Sequence, residues 1–207
     1  MAFLGNLRNV VIVSFVLSIL LIGLYCTVQG FDAVTFEMFT LRWLHVVCGV
    51  MWIGLLWYFN FVQIPTMPKV PDELKKGVTG YIAPEALFWF RWGAMGTLFF
   101  GIVLAFRSNY LIDAYTLDFS QGLQGWPVVP RSLAIGIGMW LGTIMWFNVW
   151  FLIWPNQQKV LNIGGKFSDI APADKAAAAK TATMFSRINT LLSIPMLFSM
   201  VAAGHLY

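Results

Sequence analysis

Residues 41–64 read LRWLHVVCGVMWIGLLWYFNFVQI, with a single charge, Arg42, and one histidine, His45. Apolar side chains occur on every side of a helix drawn through this stretch, so it has no polar face to present to water. About 20 such residues, at 1.5 Å each, cross the hydrocarbon core of a bilayer. The stretch reads as a membrane-spanning helix with an imidazole inside it.

Four further segments have the same character: about 10–28, 88–106, 133–154 and 188–206. Composition agrees. Of 207 residues, 59% are hydrophobic and only 11% charged, where a soluble domain carries about a quarter charged residues. Five spans and their linkers use nearly the whole chain. The expected architecture is all-α: one integral membrane helical bundle of five transmembrane helices, a single domain over 1–207 (spans about 10–28, 41–64, 88–106, 133–154 and 188–206). The first hydrophobic segment is followed by no small-residue cleavage pattern, and IGLY before Cys26 ends in a bulky tyrosine, so it reads as an uncleaved helix.

The net charge of +4 does not imply nucleic acid, because the charges sort by loop. With the N-terminus inside, Arg8, Lys69, Lys75, Lys76, Arg91, Lys159, Lys166, Lys175, Lys180 and Arg187 fall on the inner side. Arg42, Arg107 and Arg131 fall on the outer side. This positive-inside bias predicts a cytoplasmic N-terminus and a periplasmic C-terminus. The location it implies is a bacterial inner membrane, with lipid as the surrounding partner.

The linkers carry their own signals. Residues 65–86, PTMPKVPDELKKGVTGYIAPEA, predict an inner connector whose prolines break helices. The outer loop 108–130 holds Trp126, suited to the interface. Pro172 and the following alanines predict a short inner helix leading into the fifth span, and Pro195 predicts a kink within that span. Cys26 and Cys48 lie toward the outer side, either paired or as small buried hydrophobes; no CxxC or CxxCH motif exists. Glycines 93, 96, 101, 136, 138 and 142 would let helices approach closely or let a flat ligand lie against backbone.

The chain has one other histidine, His205. From Pro65, His45 lies about 30 Å up the second span, and from Arg187, His205 lies about 27 Å up the fifth, at 1.5 Å per residue. Both imidazoles reach nearly the same depth near the outer face. A histidine within a span is a functional candidate by default, and two neutral imidazoles can hold haem iron from both sides. Gly49 and Trp52 share the face of His45, where they would give clearance for a planar ring and pack at its edge. The alternatives are an interfacial His205 and a His45 bonded to a neighbouring carbonyl. Zinc is disfavoured, since it wants three or four donors. Near the inner face, Asn60, Arg91, Asn148, Arg187 and Asn189 form a polar set able to hold an anionic group such as a haem propionate or a quinone head. Arginines at span ends equally snorkel to lipid phosphates.

Three stretches, LRWLHVVCGVMWIG (41–54), WFNVWFLIWPNQQKVL (146–161) and SRINTLLSIPMLFSMVAAGH (186–205), resemble the membrane-embedded N-terminal domain of bacterial cytochrome-c-linked urate oxidases. The histidine followed seven residues later by Trp-x-Gly is also similar to HemJ-type membrane haem proteins. The resemblance implies that His45 and His205 are functional histidines, and that electrons leave toward the outer face, where a cytochrome c acts. Members of that family carry a longer membrane region and a C-terminal cytochrome c bearing CxxCH, absent from these residues, so urate oxidation itself is not the expectation. The expected role is a haem b-binding electron-transfer or redox subunit. Its site is His45 and His205 on iron, with Gly49, Trp52, Asn148 and Arg187 about the cofactor. Its partner is a cytochrome c or a larger respiratory-type membrane complex. The alternative is a cofactor-free accessory subunit of such a complex. A transporter is a weaker third, for Asp32, Glu37, Asp113 and Asp118 all fall in outer loops and the remaining acids in inner ones.

Overall fold

The computed structural model describes residues 4–117 and 131–206; Trp126 and Asp118 lie outside them. Every regular element among the described residues is helical. Two compact units are present, Met1–Thr40 and Leu41–Tyr207.

In the first unit, α1 (Leu7–Gln29) is a single apolar helix with no buried residue. The side-chain oxygen of Asn6 caps it by accepting from Arg8 N (3.1 Å) and Asn9 N (3.4 Å), two of the donors that a helix start leaves without partners. Gly30 ends it at φ 82°, a backbone conformation that costs glycine little. Asp32 then opens α2 (Ala33–Trp57) by accepting from Thr35 N at 2.8 Å. Hydrogen bonds from the Thr35 side chain and backbone hold the Asp32 carboxyl below the usual carboxylate range.

The second unit holds the rest of α2 and the helices α3 (Ile64–Thr66), α4 (Asp72–Gly77), α5 (Ala83–Arg107), α6 (Leu111–Tyr115), α7 (Arg131–Phe147), α8 (Trp154–Leu161) and α9 (Pro172–His205). The helical runs are longer than the hydrophobic spans: Ala33–Lys69, Asp72–Arg107, Arg131–Leu161 and Pro172–His205. With α1 they make five helices long and apolar enough to cross a membrane.

The prolines explain the extra length. The sequence predicts breaks at the connector prolines, yet two of them, like Pro155 after the fourth span, sit just past a π-helical segment: Tyr58–Gln63 before Pro65, Val78–Ile82 before Pro84, and Asn148–Ile153 before Pro155. In each case the residue preceding the proline donates its N–H five residues back, Ile64 to Phe59 O, Ala83 to Val78 O and Trp154 to Val149 O. A proline ring clashes with the carbonyl four back in a regular helix. The widened π turn gives the ring room, and the helix continues. The inner connector therefore shrinks to the extended residue Val70 and Pro71. Likewise the helix begun at Pro172 does not end before the fifth span but is one helix with it, running through Pro195.

The core joins Trp52, Leu56 and Phe59 to Leu87, Phe90 and Ala94 of α5, to Met145, Val149 and Ile153, and to Met196 of α9. Small residues set the helix contacts. A Cβ on Gly93 would lie 3.1 Å from Trp52 N and 3.3 Å from Cys48 O, and one on Gly96 would lie 2.7 Å from Cys48 Sγ. Backbones that approach this closely are the usual consequence of small residues in membrane helix pairs. Gly136 fits against the carbonyl of Ala114, bringing α6 onto α7, where Trp140 Nε1 donates to Tyr115 O (2.9 Å). Gly138 faces Ser199 and Met200 of α9. Of the two readings of these glycines, helix packing thus accounts for 93, 96, 136 and 138; Gly142 meets nothing within 4 Å. Cys26 and Cys48 are free thiols.

Candidate functional site

His45 is held by one bond. Its Nδ1 lies 2.8 Å from the carbonyl oxygen of Thr97 on α5. A carbonyl only accepts, so Nδ1 carries the hydrogen and Nε2 keeps its lone pair. The bond is possible because Gly101 stands one turn after Thr97. A Cβ there would sit 2.9 Å from both Cε1 and Nδ1 of His45, in the space the ring occupies. The Thr97 hydroxyl turns away to the Gly93 carbonyl (2.7 Å). Gly93, Thr97 and Gly101, spaced four residues apart, thus meet Trp52, Gly49 and His45 of α2 in turn.

Gly49 and Trp52 do share the His45 face, as helical spacing predicts. Both lie in the contact with α5: a Cβ on Gly49 would meet the Thr97 side chain at 3.9 Å, and Trp52 is 1% exposed. They support the helix that carries His45.

His205 is the last residue of α9 and is exposed. Two bonds fix its height. Trp57 Nε1 donates to Ser193 Oγ (3.0 Å), and Asn60 Nδ2 donates to Ser186 Oγ (2.7 Å), so α2 and α9 run antiparallel. From the first bond each histidine lies twelve residues away toward the same end of the bundle, about 18 Å. From the second the offsets are fifteen and nineteen residues, about 22 and 28 Å. Heights agree to within about a turn. Orientation differs: His45 turns onto α5, whereas His205 lies off the buried stripe of Ser186, Asn189, Ser193 and Met196. No hydrogen bond among the described residues joins the two imidazoles. Those residues hold no group of three or more His, Cys, Asp or Glu placed to bind a metal ion.

The inner polar set divides into separate pairs. Asn148 Nδ2 donates to Asn189 Oδ1 (2.8 Å), and Asn189 Nδ2 donates to Met145 O (2.9 Å), all buried. This pair ties the π turn at Asn148 to α9. Asn60 similarly bonds Leu56 O (2.9 Å) and Ser186, at the π turn of the second run. Arg187 is exposed and borders a shallow apolar groove with Lys180, Met184 and Leu191. No hydrogen bond among the described residues joins Arg187 to Asn148. Arg91 is stacked against Trp154, its Cζ 3.7 Å from the ring centroid. Thr97, Trp57 and Ser193 escape a sequence reading that looks for charge and histidine; only the Gly–x3–Thr–x3–Gly spacing on α5 hints at the first.

These features define an assembly of apolar helices, long enough to cross a membrane, with one half-buried imidazole held against α5. Residues 127–206, covering α7, α8 and α9, match the family model described as urate oxidase N-terminal. That part of the chain is similar to this family; it includes Asn148, Arg187 and His205 and stops short of His45. No curated protein and no solved structure matches the chain.

Proposed function

We propose that this protein is a haem b-binding electron-transfer or redox subunit of the bacterial inner membrane, related to the urate oxidase membrane domain, in which His45 would hold the haem iron. The carrying observation is the Nδ1–Thr97 bond, which leaves Nε2 as the free donor atom. Metal-ligating histidines almost always give their other N–H to a carbonyl or carboxylate, which fixes the tautomer and the ring. The residues present fit a haem ligand on that ground. A bound haem supplies reversible one-electron transfer at its iron.

This chain's own residues do the rest. Thr97 orients the imidazole, Gly101 leaves its place open, and buried Trp52 keeps water from the α2–α5 contact. His205, at matching height on α9, is the second candidate ligand. The positive-inside bias favours a position for both near the periplasmic face, where a cytochrome c or a larger respiratory-type membrane complex would exchange electrons. A cofactor-free accessory subunit is the second reading, favoured by the exposure of His205. Haem reconstitution of the purified chain separates the two: stoichiometric uptake lost in His45→Ala supports the first, and a folded chain that takes up no haem supports the second.

A further inference from the structure

Arg91 stands two turns into α5, within a stretch apolar enough to cross a membrane. An arginine at such a position is expected to snorkel outward to lipid phosphates. It does not extend freely. The guanidinium lies 3.7 Å over Trp154, 5.6 Å from the ring centre of Phe88 and 6.0 Å from that of Trp150. Trp92 closes edge-on against Trp150 at 5.5 Å and 82°.

Within this aromatic cage two donors lack partners. Arg91 Nη1 and Trp150 Nε1 are both buried, and neither has a hydrogen bond. No carboxylate pairs with Arg91 among the described residues; Glu85, a turn and a half earlier, accepts from Trp89 Nε1 (3.0 Å). Stacking on tryptophan stabilises the cation through the ring face, but it leaves the in-plane N–H groups unused. Guanidinium and indole N–H can only donate. Two unpartnered donors on two helices, one of them charged, call for an acceptor that brings negative charge. A water molecule answers the hydrogen bonding and leaves the charge uncompensated.

We propose that Arg91 and Trp150 form a binding site for an oxyanion, walled by Trp154, Phe88 and Trp92. The planar fork of the guanidinium suits a phosphate or a carboxylate. Two sources present that chemistry inside a membrane, the phosphate of an acidic lipid and a propionate of a porphyrin. The site stands on its own residues and holds whether or not His45 binds iron.

The test uses the full chain in neutral detergent, titrated with phosphatidylglycerol against phosphatidylcholine and followed by native mass spectrometry. In a parallel arm, haem b is compared with its dimethyl ester, whose propionates are neutral. Retention of phosphatidylglycerol that falls at least about tenfold in Arg91→Gln identifies a lipid phosphate, a factor typical of one charged hydrogen-bonding pair. Preference for haem over its ester, lost in Arg91→Gln, identifies a propionate. Trp150→Phe keeps an aromatic side chain and removes the donor, so it gives a smaller loss in the same arm and serves if Arg91→Gln does not fold. Lys180→Gln, at an exposed lysine, controls for charge alone. Equal phosphatidylglycerol retention by wild type, Arg91→Gln and Trp150→Phe, without discrimination between haem and ester, overturns the proposal. If the chain takes up no haem, the lipid arm decides alone.

Discussion

Gly101→Ala probes the seat of His45, and Gly142→Ala is its internal standard. Both glycines lie within helices, so each alanine brings the same gain in helix propensity, about 1 kcal/mol. At Gly142 a Cβ meets nothing within 4 Å, and the gain stands alone. At Gly101 the added carbon lies 2.9 Å from two atoms of the His45 ring. The ring must move, and the 2.8 Å bond to Thr97 goes with it. Overpacking costs about 1–3 kcal/mol, and the lost hydrogen bond about 1 kcal/mol. The propensity gain cancels between the variants, leaving Gly101→Ala about 2–4 kcal/mol less stable than Gly142→Ala. Reversible unfolding in mixed micelles, followed by tryptophan fluorescence, measures that difference. Equal stability of the two variants would refute the seating of His45 against Gly101.

Other consequences follow from the same packing. Asn189→Leu strands Asn148 Nδ2 and Met145 O in a buried setting, and should cost about 1–3 kcal/mol per orphaned group in the same unfolding assay. Gly136→Ala pushes a carbon into the Ala114 carbonyl; α6 should lift from α7, seen as faster proteolysis near Tyr115, with about 1–3 kcal/mol lost. Burial pushes the Tyr110 phenol up, against smaller opposing effects of Arg42 and Arg131. The native state therefore holds that proton where the unfolded chain releases it. Its contribution to stability should be intact below about pH 10 and fall as pH rises through the native value, an effect that Tyr110→Phe removes in unfolding measured against pH.

The sequence made the five apolar helices legible because each is apolar on every side, and hydropathy alone marks them. Helix ends were less legible. Prolines 65 and 84 read as helix breakers, and the π turns that accommodate them, like the one before Pro155, have no signature in residue type. The equal heights of His45 and His205 followed from counting residues along antiparallel helices, and the Trp57–Ser193 bond gives the same count. Their facing did not follow. Helical spacing places Gly49 beside His45 but cannot say whether that face meets a ligand or α5. Arg91 was legible as a charge in a span, whereas its cage draws Trp150 and Trp154 from sixty residues away, beyond any local pattern.

The Nε2 atom of His45 is the atom proposed to hold a haem iron. The most direct measurement is a pyridine haemochrome spectrum of the detergent-purified chain after haem reconstitution, taken beside His45→Ala. A haem held by His45 gives a stoichiometric b-type spectrum in the parent chain and its loss in the variant. A well-folded parent chain that stays colourless with haem supplied, or a His45→Ala variant that holds haem equally well, would contradict it.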